Sequence, residues 1–360
     1  MIRSVAEEIS KRAEKAVTRA AGDRRAQVAA GALAAAGAAV IAGKAGVEHV
    51  RGRSDGKSPS RAFRLGRDEE AINGILRIAD GRAASALEQL GSSGDGDFAE
   101  AVHEARKDLK KLRSVLRLVR ADLGGKRYRR ENARYREAGL RLSAARDAEV
   151  KLRTLDSLEP VPGEGLENDS FTAFRELLEA ERRRSRDGKG DGGVEEAVAI
   201  IEDGRAAIPD WPLAADGWRL FEPGVRRGYR RGRRGLKRTT KDPNAENVHE
   251  WRKRVKDLWY SLRVLQDAWP EVIGETADQA HELADRLGDH HDLALLSEQA
   301  SCSPGLFSKP DLERLLAAID GRQAELLDDA FGIARRLYTE KPKDFTRRLR
   351  AYWRTWRPAG

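Results

Sequence analysis

The chain has 360 residues, of which 40% are hydrophobic and 35% charged, with a net charge of +9 and a pI near 9.6. This is enough chain for one large domain or two medium ones with real cores; it excludes a membrane channel and favours a polyanionic partner. The single cysteine, Cys302, excludes an intrachain disulfide and a thiolate metal cluster, and fits a reducing compartment.

Residues 1–60 read as an N-terminal helical extension and linker. "KRAEKAVTRAAGDRR" precedes "VAAGALAAAGAAVIAG" at 28–43, the charge order of a signal peptide. The charged lead carries Glu7, Glu8 and Glu14, however, and the apolar run is too short and too rich in Ala and Gly to span a bilayer. The expectation is a helical spacer or a weak membrane-surface anchor, preferred over a membrane-spanning segment, then a flexible linker, "RGRSDGKSPS", at 51–60.

From there the pattern is helical, with candidate helices at 67–90, 98–122, 126–157, 170–186, 193–206, 217–240, 244–268, 271–300, 310–338 and 343–356. Gly-, Pro- and Asp-rich breaks separate them, among them "GSSGDGD" at 91–97, "PVPGEG" at 160–165, "DGKGDGG" at 187–193 and "IPDWP" at 208–212. Ala, Leu, Arg and Glu dominate, which favours helix, and no hairpin or alternating strand stands out.

Within this pattern a string repeats. "VHEARKDLKKLRSVLRLVR" at 102–120 returns as "VHEWRKRVKDLWYSLRVLQ" at 248–266, an offset of 146 with nine identities in nineteen. "RLSAARD" at 141–147 matches "RLGDHHD" at 286–292 at nearly the same offset. The fold predicted is all-α: two pseudo-symmetric helical bundles from an internal duplication, divided as 61–210 and 211–360, around a basic groove.

At about 100° per residue, His103, Arg106, Lys107, Lys110, Arg113, Ser114 and Arg117 share one face of the first copy. Leu109, Leu112, Leu116 and Val119 share the other. The second copy sets His249, Arg252, Lys253, Lys256, Tyr260 and Arg263 against Val255, Leu258, Leu262 and Leu265. Glu104, Asp108, Glu250 and Asp257 are expected at the margins of the cationic faces or beyond. Like charges one turn apart repel, so the faces point to an anionic ligand, to which each imidazole can donate. Asp97 and Asp242-Pro243 are the expected N-caps, which put both histidines near the positive end of a helix dipole.

Two stretches add to the cationic surface: "KRYRRENARYR" at 126–136 and "RRGYRRGRRGLKR" at 226–238, whose glycines keep the helix slim for close approach. "GDHHDLALL" at 288–296 offers Asp289, His290, His291 and Asp292 as a candidate metal cluster. Adjacent residues on a helix diverge by about 100°, so the expectation is no metal site. Asp147 and Asp292 are instead expected to cap helices or to pair with Arg141 and Arg286.

The two His helices, "FEPGVRRGYRRGRRGLKR" and the "LSAARD" and "LGDHHD" elements together resemble the CHAD family, the conserved-histidine α-helical domain, over residues 65–357. The resemblance implies two four-helix bundles enclosing a basic cavity that binds inorganic polyphosphate. It implies as ligands His103, Arg106, Lys107, Lys110, Arg113 and Arg117 in the first half. In the second half it implies Arg226, Arg227, Arg230, Arg233, Arg234, Lys237, His249, Arg252, Lys253, Lys256 and Arg263. Trp259 stands where the first copy has Arg113, so the two faces differ in charge. Neither a catalytic residue nor a cofactor is expected. Cytoplasmic location and targeting to polyphosphate granules follow as expectations, with single-stranded nucleic-acid binding and metal-dependent phosphohydrolysis as alternatives.

Overall fold

A computed structural model describes residues 63–91, 98–142, 147–158, 169–187 and 193–357. The readings of residues 1–60 and the Asp97 cap lie outside these. Among the described residues there are twelve α-helices and no strand. They are α1 (Ala71–Gly91), α2 (Phe98–Leu118), α3 (Arg120–Leu123), α4 (Gly125–Arg141), α5 (Asp147–Asp156) and α6 (Asp169–Asp187). There follow α7 (Gly193–Ala206), α8 (Trp218–Lys241), α9 (Ala245–Leu265), α10 (Glu275–Ser301), α11 (Lys309–Leu337) and α12 (Pro342–Trp356).

One boundary expectation is corrected. The span 126–157 is not a single helix: α4 ends at Arg141, and α5 begins at Asp147. Another concerns capping. The second His helix starts at Asn244, whose side chain accepts from the Asn247 amide at 2.8 Å, rather than at Asp242-Pro243. Asp242 accepts instead from the side-chain amides of Asn244 and Asn247, which ties down the α8–α9 turn.

The repeated helices bury the same register. In α2 the stripe is Val102, Ala105, Leu109, Leu112, Leu116 and Val119; in α9 it is Val248, Trp251, Val255, Leu258, Leu262 and Leu265. Each position in one list lies 146 residues from its counterpart in the other. The spacing of three and four residues is that of a helix face turned to a core, and each buried Val or Leu contributes roughly 1.5–3 kcal/mol relative to exposure. The largest core runs from Phe63 to Trp353 and draws on α1, α2, α4 and α7–α12. A smaller one joins α5 and α6 to the second half of α10 and to α11, through Leu152, Phe171, Phe174, Leu296 and Ile319. Residues on both sides of position 210 therefore enter both cores.

The glycines of α8 serve helix packing. A Cβ at Gly224 would fall on the Leu118 carbonyl oxygen, and one at Gly232 on the Tyr338 ring. Without side chains there, the cationic helix comes within backbone contact of the C-terminal end of α2. The slimness read from the sequence thus lets the protein's own elements close up, and that approach builds the site.

Candidate anion-binding site

Where the end of α2, the short α3, the start of α4, α8 and the middle of α9 converge, a small open cavity is lined by Arg117, Arg120, Tyr128, Gly224, Arg227, Gly228, Arg231, Asp257 and Ser261. The chain leaves helical register at Val119, where ψ is 12°, and resumes as α3, so Arg120 is turned against Tyr128 with its guanidinium 4.6 Å from the ring centroid. Arg227 and Arg231 lie one turn apart on α8 and come in from the opposite side. One carboxylate faces these four guanidiniums: Asp257 of α9, 2.7 Å from Arg117 Nε and 3.2 Å from Arg254 Nη1.

The charge here is not balanced locally. Burial, and then Arg117, push Arg113 down to about 10 from the usual guanidinium value; its Nε donates to Asn132 Oδ1 at 3.2 Å. Arg227 is lowered by burial and next by Arg120. Arg231 is lowered by burial and next by Arg254. Partly desolvated guanidiniums close together favour any anion that restores charge balance.

The second feature is a histidine pair. The rings of His249 on α9 and His291 on α10 lie 4.1 Å apart, centroid to centroid. His249 Nδ1 is buried without a hydrogen-bond partner. Burial above all, then His291, Lys253 and Arg252, push this imidazole down to about 4. His290, the neighbour of His291 in sequence, is buried, with its carbonyl accepting from Gln323 Nε2 at 2.9 Å. Among the described residues no three His, Cys, Asp or Glu side chains are placed to hold one metal ion.

The remaining sequence-predicted ligands separate. Arg113 and Arg117 join the cavity region with Arg227. His249, Arg252 and Lys253 group about the histidine pair. Arg230, Arg233, Arg234 and Lys237 are exposed on α8 and do not line the cavity. His103, Lys110 and Arg263 are half-buried, and Lys256 lies 5.6 Å from the Trp259 ring. Arg106 donates to the Leu142 carbonyl at 3.2 Å.

Several expectations are corrected. Arg226 lies on the α12 side, held by Glu222 and within 3.5 Å of Thr346 Oγ1. Ser114 and Tyr260 are buried rather than displayed on the cationic face. The acids do not all stand clear of it either. Glu104 holds Lys107 at 2.6 Å and Glu250 holds Lys253 at 2.6 Å, because an i,i+3 spacing brings them side by side. Of the two roles expected for Asp147, the helix-terminal one holds, since it opens α5; Arg141 pairs with Glu137 and Glu196, and Arg286 faces Glu282 and Asp329. Arg120, Tyr128 and Arg231 were missed as site residues. Arg231 could have been found as the residue one turn beyond Arg227. Arg120 could not, since only the break at Val119 turns it inward.

The family model described as "CHAD domain" matches residues 78–301. Among solved structures, the crystal structure of the CHAD domain from the plant Ricinus communis matches with a TM-score of 0.48 at 17% identity, covering 82% of this chain and 98% of that one. The comparison with curated proteins returned no match.

Proposed function

This chain belongs to the CHAD family, and from that premise we propose that it binds inorganic polyphosphate through the basic surface formed by α2, α3, α8 and α9. The observation that carries the reading is the cavity lined by Arg117, Arg120, Arg227 and Arg231, with Arg113 beside it and a single carboxylate facing them. A linear polyphosphate presents one negative charge per unit and no base to recognise. Forked guanidinium donors suit it. The exposed cations Arg230, Arg233, Arg234 and Lys237 extend the surface along α8 for a chain longer than the cavity.

Binding without hydrolysis is the proposed activity. Phosphoryl transfer calls for metal-held carboxylates beside the phosphate; Asp257, the cavity's carboxylate, is engaged by Arg117 and Arg254. Single-stranded nucleic acid would call for aromatic side chains free to stack with bases. Trp211, Trp218, Trp251 and Trp353 are buried, Trp259 packs against Tyr260 and His281, and Tyr128 has Arg120 over its ring; Trp269 is exposed, but it packs edge-on against Tyr352 and does not line the cavity. Recruitment to polyphosphate granules in the cytoplasm follows from this reading as its cellular expression.

Binding isotherms for long polyphosphate, tripolyphosphate and single-stranded RNA of matched charge, at two salt concentrations, test it. Polyphosphate should bind more tightly than RNA, with affinity falling as salt rises, by a logarithmic slope of about 0.7 per phosphate contact on a flexible strand. Equal or tighter RNA binding, or orthophosphate release with added Mg²⁺ or Mn²⁺, would overturn it.

A further inference from the structure

Asp257 is out of place in a site for anions. It sits on α9 at the position that corresponds, at the 146-residue offset, to Lys111 on α2. The charge order is exchanged between the copies. In the first, Asp108 lies 3.8 Å from Lys111; in the second, Arg254 lies 3.2 Å from Asp257. The exchange puts a carboxylate in the wall of the arginine cavity, with its side chain 13% exposed. Arg117 reaches it from the other copy's helix, with Nε 2.7 Å from Oδ1. Despite that distance, the Arg117 Nε–H is not aligned for a hydrogen bond. Charge rather than directed bonding therefore holds the pair, which gives it up more readily to a better acceptor.

We propose that Asp257 is a built-in counter-ion: it occupies the arginine cavity as a stand-in for phosphate, and an oxyanion binds there by taking Arg117 from it. This rests on the reading of the basic surface as a polyphosphate site and adds a specificity to it. A phosphate group with three charged or hydrogen-bonding oxygens can engage Arg117, Arg227 and Arg231 together. A carboxylate on a fixed helix engages Arg117 alone of these three at ion-pair distance among the described residues. Separating the pair costs the same for every anion, so an anion that engages several of the guanidiniums at once repays it best. Arg254, held by Glu250 as well at 3.0 Å, keeps Asp257 partnered after Arg117 leaves.

The test uses the full chain and tripolyphosphate, orthophosphate and sulfate as probes, by titration calorimetry, for wild type, Asp257→Asn, Asp257→Ser and Arg231→Gln. Removing the internal charge should tighten tripolyphosphate binding by about tenfold. It should tighten sulfate and orthophosphate as well, by no more than tripolyphosphate, whose larger charge Asp257 repels most. Arg231→Gln should weaken all three. Unchanged or weaker binding by both Asp257 variants, with helical content and melting as in wild type, would overturn the inference. So would a loss of folding in both, because a carboxylate needed for the fold is not one a ligand can displace. If wild type binds neither tripolyphosphate nor long polyphosphate, the functional reading itself fails, which is a different result from a wild type that binds and an Asp257→Asn that binds no better.

Discussion

The imidazoles of His249 and His291 lie face to face, with centroids 4.1 Å apart and planes inclined at 34°. Two protonated rings at that distance repel strongly, and Lys253 and Arg252 stand close by. His249 therefore stays neutral until the solution is well into the acid range or until an anion arrives.

Protonation should accordingly couple to binding. His249 starts from about 4 in the free protein, lowered first by burial and then by His291, Lys253 and Arg252. Bound polyphosphate adds opposite charge and raises that value, so the bound state holds more protons and affinity rises as pH falls. The window lies between the imidazole's ordinary value near 6.5 and about 4. Titration in several buffers of different ionisation enthalpy should show proton uptake there, and His249→Gln should reduce it. Uptake unchanged in the variant would remove His249 from the site.

The same shift sets a stability trend of its own. A histidine whose folded value lies below its unfolded one contributes stability that is fully present above about 6.5 and is lost as pH falls toward 4, because the unfolded chain binds the proton first. Without ligand, the melting temperature should drop across that interval, and less steeply in His249→Gln. A parallel drop in both proteins would assign the trend to other groups.

Both α2 and α8 should be needed by a single ligand. Charge reversal at Arg113 and Arg117 on α2, or at Arg227 and Arg231 on α8, should each cost most of the affinity for long polyphosphate and lower its salt slope, since each removes direct phosphate contacts from one cavity. Circular dichroism identifies variants that remain folded. A folded variant with full affinity would show that the two elements do not share a ligand.

Gly224 and Gly228 should behave in opposite ways. Alanine at 224 would put its methyl group onto the Leu118 carbonyl. The helices must then part, at a cost of about 1–3 kcal/mol for overpacking, with weaker binding because the cavity loses its shape. Alanine at 228 meets no atom nearer than 3.9 Å and should gain up to about 1 kcal/mol from helix propensity. Denaturant melts of the two variants give the comparison directly.

Arg82 and Asp108 form a buried ion pair at 2.9 Å, both at most 5% exposed. Asp108→Ala removes the carboxylate from this buried ion pair and should cost about 3–5 kcal/mol. Replacing both residues with apolar ones of similar size should recover much of it. A single variant as stable as wild type would show that the pair carries no structural weight.

Much of this architecture is legible in the chain itself. The spacing of three and four between Val102, Ala105, Leu109, Leu112 and Leu116, repeated from Val248, specifies two helices and the stripe each one buries. Helix needs only local periodicity and local hydrogen bonds, so such elements can be read without knowing their neighbours. The cationic stretch at 226–238 is likewise visible as composition. What the pattern could not supply is which cations converge. Arg226 and Arg227 are adjacent in sequence, yet one turns to Thr346 on α12 and the other into the cavity with Arg120. The identity of the carboxylate that meets Arg117 also depends on how α9 crosses α2, with 140 residues between the partners along the chain. Periodicity assigns a side chain to a face of its own helix; the crossing of helices, set between α8 and α2 by the backbone approach at Gly224, decides what that face meets.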